Sequence, residues 1–107
     1  MPTGKTVQGN SFCYSGSLEA GIVVSFNFTA LRISPEVIRA IRAEIIERRT
    51  VLMGSSRKPL VPNSLGEMIW LRYHVTPQAV SYIVPLLIEE GFCRASESKP
   101  FIIFYSG

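Results

Sequence analysis

The chain has 107 residues, of which 47% are hydrophobic, and a formal net charge of +3 at pH 7. This length is typical of a single domain with one hydrophobic core. No stretch approaches the roughly 20 apolar residues that a membrane-spanning helix needs, and no apolar run follows Lys5 as it would in a secretory signal. We therefore expect a cytoplasmic protein that does not associate with membranes. The weakly basic charge is compatible with a nucleic-acid partner.

The first third of the chain has a β pattern. Residues 1–10 are polar and contain two glycines and a proline, so they are expected to be flexible. Residues 11–107 are expected to form one domain that begins with a β-hairpin over 11–31. Along the second arm of this hairpin, Val24, Phe26 and Phe28 alternate with polar residues, which predicts a strand with one buried face.

Capping signals then predict three helices and a second hairpin. Ser34, Ser64 and Thr76 are N-cap residues, and Gly91 follows the last apolar position of the third helix, where a left-handed residue often ends a helix. The predicted helices cover about 35–50, 64–73 and 77–90, and the predicted hairpin covers 92–105.

The third helix and its exit resemble the recognition helix of winged-helix proteins. The shared pattern is a Ser or Thr start, a Val-Ser pair in the second turn, spaced apolar residues and a Glu-Glu-Gly-hydrophobic exit. It is represented here by Thr76, Val80, Ser81, Val84, Leu87 and residues 89–92. The resemblance covers about residues 34–105 and implies an α+β fold. That fold is a three-helix winged-helix-like domain with a C-terminal β-hairpin wing, to which the N-terminal β-hairpin is added.

The resemblance also implies a protein that binds nucleic acid, with double-stranded DNA as the partner, or that acts in transcription control. In that family the third helix meets the major groove and the wing contacts phosphate. Here Gln78, Ser81 and Tyr82 would approach the bases. The phosphate contacts would come from Arg94 and Lys99 of the wing and from Arg57 and Lys58 of the loop before the second helix.

The same helix also supports an alternative, a protein-interaction module. Its outward face has no lysine or arginine, and Pro85 removes a backbone hydrogen bond and favours a kink. A homodimer or an adaptor for another protein would use this face together with an exposed strand edge. The residues in contact would be Tyr82, Pro85 and Ile88 on the helix and Val24, Phe26 and Phe28 on the strand.

The sequence does not predict an enzyme. His74 is the single histidine, and the chain has no aspartate to orient it. Cys13 and Cys93 lie in apolar surroundings, which predicts two buried free thiols. One histidine and two distant cysteines lack the ligand spacing of a metal site, so we expect no metal and no small-molecule cofactor.

Overall fold

The computed structural model describes residues 3–7, 9–26, 28–56 and 58–107. Their fold is α+β, as the sequence predicts, with three helices and two antiparallel sheets. In chain order the elements are β1 (Thr3–Lys5), β2 (Ser11–Ser17), β3 (Gly21–Ser25), β4 (Ala30–Ile33), α1 (Pro35–Arg48), β5 (Thr50–Leu52), α2 (Leu65–Tyr73), a 3-10 turn (Pro77–Ala79), α3 (Val80–Glu89), β6 (Cys93–Ala95) and β7 (Ile102–Tyr105).

The N-terminal sheet has four strands in the order β1-β2-β3-β4, where the sequence predicts a two-stranded hairpin. The predicted second arm is two strands, because the chain reverses after Ser25, which pairs with Ala30. The backbone N–H of Phe26 donates to the carbonyl of Thr29 across this reversal, at 2.9 Å. The alternation of apolar and polar residues continues through the turn, and for this reason the sequence pattern predicts an unbroken strand.

The prediction that Val24 lies on an exposed strand edge is therefore wrong. Val24 belongs to the inner strand β3, where it faces Tyr14 on one side and Leu31 on the other. Its side chain is fully buried, with 0% exposure. Of the predicted edge residues, Phe28 is fully exposed in the β3–β4 turn and Phe26 is 43% exposed beside it.

Side-chain caps position the first two helices. The Ser34 hydroxyl accepts the N–H of Val37 at 3.3 Å, and the Ser64 hydroxyl accepts the N–H of Glu67 at 3.1 Å. α2 ends at Tyr73, and the capping residue His74 has a left-handed backbone (φ 55°) that allows its N–H to return to the carbonyl of Trp70 at 3.1 Å. The three residues 74–76 connect α2 to the 3-10 turn, so α2 and α3 are closely connected.

α3 is shorter than the predicted helix over 77–90, because its first three residues form the 3-10 turn. The helix continues through Pro85, and its core-facing residues are fully or nearly fully buried. These are Val80, Ile83, Val84, Leu86 and Leu87.

The second sheet has the order β5-β7-β6, so it contains one strand more than the predicted C-terminal hairpin. β5 directly follows α1 and pairs with β7, where Val51 lies opposite Ile103. Both residues are buried in a core that is continuous with the N-terminal sheet and the helices. α1 ends before residue 50 because β5 begins there.

The start of α2 approaches the loop after β5 so closely that only glycine fits. The N–H of Gly66 donates to the carbonyl of Met53 at 3.1 Å. A Cβ at Gly66 would overlap the carbonyl oxygen of Gly54.

We expect Gly66→Ala to lower the free energy of unfolding by about 1–3 kcal/mol, measured by urea denaturation, since overpacking has this cost. Helix propensity alone predicts the opposite sign, a gain of about 1 kcal/mol.

Gly91→Ala is the control for this experiment. A Cβ at Gly91 would meet no atom within 4 Å, but the backbone is left-handed with φ 81°. Gly91→Ala should lower the free energy of unfolding by about 1–2 kcal/mol, because alanine is strained in this backbone conformation although its Cβ clashes with nothing. A Gly66→Ala variant that is more stable than the natural chain would contradict the close approach of α2.

Candidate functional site

A groove of about 540 Å³ separates the N-terminal sheet from the start of α3, and we call it the α3 groove. The helical side is formed by Gln78, Ser81 and Tyr82, the three residues that the sequence predicts as base contacts. The described residues on the opposite side come from the N-terminal strands and their flanks, and they are Thr6, Val7, Asn10, Ser11, Phe12, Ser25 and Phe26. The predicted reading face is therefore one wall of a groove and does not stand free.

Aromatic side chains join the two walls. The ring centroid of Tyr82 lies 5.1 Å from that of Phe12 and 5.9 Å from that of Phe26, both in edge-to-face arrangements. Such pairs contribute about 0.5–1.5 kcal/mol beyond the area they bury. Tyr82 is only half-buried, so its ring both supports the sheet and lines the groove.

The remaining outward face of α3 also lies against the chain itself. Pro85 and Ile88 line a depression together with Lys5 and Val7, and Ile88 packs against the core cluster. These positions and Tyr82 are the ones predicted to contact a partner protein from the helix. Here the N-terminal strands lie against them, which leaves Phe26 and Phe28 as the predicted interaction residues with large exposed surfaces.

The polar groups of the α3 groove are uncharged. Among the described residues that line it, none is acidic or basic. The Ser81 hydroxyl donates to the carbonyl of Gln78 at 2.6 Å, and the Thr6 hydroxyl accepts the N–H of Asn10 at 3.1 Å. The carboxamides of Gln78 and Asn10 belong to exposed residues, and each can both donate and accept hydrogen bonds.

Two of the predicted phosphate contacts, Lys58 and Lys99, lie on the loop after β5 and on the β6–β7 connection. Lys99 lines a second depression of about 380 Å³ between this connection and the loop after β5. Met53 and Ser55 line both this depression and the α3 groove, so the two are neighbours. Lys58 is exposed on the same loop, and Arg57 lies outside the described residues.

Arg94 lies apart from both depressions. It is exposed on β6, and its guanidinium lies 5.8 Å from the ring centroid of Phe104. Arg94 pairs with Phe104 in the sheet, next to the buried Ile103 whose side chain points to the core. Since side chains alternate along a strand, Arg94 belongs to the outer face of the second sheet.

Several arginines of the basic segment between residues 34 and 60 have partners within the chain. Arg42 forms an ion pair with Glu90, and its guanidinium lies 5.0 Å from the ring centroid of Phe92. Arg48 donates to the carbonyl of Asn63 at 2.8 Å. These contacts attach α1 to α3, to the second sheet and to the loop before α2, so much of the basic excess has a structural role.

The two thiols differ in environment, so the prediction of two buried cysteines is wrong for Cys13. β2 alternates between its faces, and because Phe12 points into the core, Cys13 is exposed. Cys93 is buried, as predicted. Burial, with a smaller contribution from Glu90 and against the effect of Arg42, raises the pKa of the Cys93 thiol to about 11.

The described part of the chain contains no cluster of three or more His, Cys, Asp or Glu side chains that could hold a metal ion. His74 caps α2 and lies edge-on to Trp70, with ring centroids 6.1 Å apart. Within the same described residues, no helix is long and apolar enough to cross a membrane.

The residues on the sheet side of the groove are not predicted from the sequence. Thr6 and Asn10 lie in the segment predicted to be flexible, and Phe12 has no local feature that pairs it with Tyr82. The only signal was the run of polar residues before a β pattern. Such a run predicts a frayed terminus equally well.

The chain matches no protein-family model, no curated protein and no solved structure in the comparisons made with known proteins. Its function must therefore be inferred from the geometry of the site.

The thiol environments predict selective labelling. At pH 8 a thiol reagent should modify Cys13 in the folded chain and leave Cys93 unmodified, because Cys93 is buried and protonated. Since folding raises the pKa of Cys93 from 9.0 to about 11, the unfolded state loses this proton first. The contribution of Cys93 to the free energy of unfolding should thus fall as the pH rises through this range.

Mass spectrometry after labelling gives the measurement, and Cys13→Ser is the control. The Cys13→Ser variant should take up no label when folded and one label in urea. Equal labelling rates for both thiols in the folded chain would contradict the buried position of Cys93.

Proposed function

We propose that the chain is a small non-catalytic, winged-helix-like protein that binds nucleic acid in the cytoplasm. One observation supports this most directly. Gln78 and Ser81 at the start of α3 line the α3 groove, and Lys99 lines the neighbouring depression, which has Met53 and Ser55 in common with the groove. Uncharged hydrogen-bonding groups in the middle and cations at the margin are what base and phosphate contacts require.

The order of the elements also supports a winged-helix-like architecture. From α1 onward it is helix, strand, helix, helix and hairpin, and the strand after α1 joins the hairpin in one sheet. The short connection between α2 and α3 agrees with a helix-turn-helix arrangement. The hairpin of β6 and β7 would then be the wing.

The positive charge that is available for phosphate is small. Lys99 lines the depression next to the α3 groove, Lys58 is exposed on the loop after β5, and Arg94 lies apart on the outer face of the second sheet. Two phosphate contacts, from Lys58 and Lys99, would give a slope of log affinity against log salt of about −1.4 to −1.8. We therefore propose weak, salt-sensitive binding to which contacts in the groove add substantially.

Binding of a protein partner is the second candidate function, with the interaction surface restricted to the β3–β4 turn. It is favoured by Phe28, which is fully exposed in the β3–β4 turn, with Phe26 beside it at 43% exposure. A partner or a second copy would cover this turn rather than α3. Gel filtration with light scattering would show a dimer, and Phe28→Ser would convert it to a monomer.

Fluorescence anisotropy with labelled DNA at low salt tests the proposed function. We expect binding at micromolar protein that weakens as salt is added. Lys99→Ala should weaken binding to every sequence and reduce the salt slope by about one, as the loss of one phosphate contact does. Arg72→Ala is the matched control, because it removes one exposed positive charge from α2, away from both depressions.

Binding that is absent at micromolar protein, or that does not depend on salt, would contradict the proposal. Equal effects of Lys99→Ala and Arg72→Ala would show that net charge, and not the groove surface, determines binding.

A further inference from the structure

We infer that the α3 groove holds an unpaired base, so that the nucleic acid this chain recognises is single-stranded. This inference rests on the proposed function and specifies its ligand. It differs from the expectation drawn from the winged-helix resemblance, in which α3 enters the major groove of duplex DNA.

The N-terminal strands that cover α3 prevent this helix from entering the major groove of duplex DNA. That groove is about 12 Å wide, and a helix with its side chains already measures about 10–12 Å across. Here Phe12 and Phe26 pack against Tyr82, and Lys5 and Val7 lie beside Pro85. A helix carrying a layer of strands on its outward face is too thick to enter.

The chemistry of the groove fits an uncharged planar ring. The described residues that line it include no acid or base, so a phosphate inside it would have no cation as partner. Phe26 is 43% exposed at its rim and offers a ring surface on which a base can stack. The carboxamides of Gln78 and Asn10 can donate to and accept from the edge of a base.

Cations lie beyond the groove at two places. Lys99 lines the depression that continues from Ser55. Lys5 lines a third depression, which shares Thr6 and Val7 with the groove and is also lined by Glu97. A strand whose base lies in the groove would thus meet Lys99 or Lys5 where its backbone phosphates leave the uncharged region, and Glu97 makes the Lys5 depression the less favourable of the two for a phosphate. Single-strand sites commonly combine basic flanks with aromatic stacking surfaces in this way.

The size of the groove agrees with a base. Its volume of about 540 Å³ lies within the range of about 300–1,000 Å³ that is usual for sites that enclose small organic molecules.

The test compares one labelled 12-nucleotide DNA strand of mixed sequence, alone and annealed to its complement, by anisotropy at the same low salt. We expect the full-length chain to bind the single strand at least about tenfold more tightly. Phe26→Ala should weaken single-strand binding by about 5- to 150-fold, the range of one lost stacking contact, and should change duplex binding by less than about twofold. Gln78→Ala should also affect the single strand selectively.

Two further variants separate stacking from folding. Phe26→Leu keeps an apolar side chain against Tyr82 but lacks a ring, so it should fold normally and still lose single-strand affinity. Leu71→Ala is the matched control, since Leu71 is a 65% exposed apolar residue on α2 that does not line the groove. It should bind both DNAs as the natural chain does.

Equal affinity for the single strand and the duplex, or equal losses for both with Phe26→Leu, would overturn the single-strand inference. Salt-dependent binding of both DNAs would then still support the proposed function. Failure to bind either DNA would overturn both.

Discussion

The packing of Phe12 and Phe26 against the ring of Tyr82 determines how the N-terminal sheet lies on α3, and the candidate site depends on it. Each edge-to-face pair contributes only about 0.5–1.5 kcal/mol beyond burial, but the pairs join residues from opposite ends of the chain. The outward face of α3 also lies against β1, where Pro85 and Lys5 line one depression. The space left between the sheet and the helix is the α3 groove, in which Gln78 is exposed.

The helices could be predicted from sequence because their signals are local. Ser34 and Ser64 each accept a backbone N–H three residues ahead, as the capping pattern indicates. β5 could not be predicted, because three residues carry no period and Val51 is held by its pairing with the distant Ile103. The β3–β4 turn was missed since apolar and polar residues continue to alternate through it.

Some residues of the candidate site could likewise be predicted from local sequence, and others could not. Gln78 and Ser81 can be predicted from sequence, because the apolar stripe of a helix indicates which residues are buried and therefore which residues face outward. Asn10 and Phe12 do not, because their position beside α3 results from tertiary packing that no local pattern encodes. The charges behave similarly. Arg42 reads as a surface residue in sequence, yet it pairs with Glu90 and lies over Phe92, so it is not free to contact phosphate.

These features describe an α+β fold whose third helix is covered by the N-terminal sheet, and this covering favours unpaired bases over the duplex in our proposal. Amide hydrogen exchange of the full-length chain, with and without a saturating single-stranded oligonucleotide, tests this most directly. Slower exchange at both walls of the groove, in residues 9–12 and 78–82, is the predicted result. Slower exchange confined to the wing around Lys99, with both walls unchanged, would contradict it.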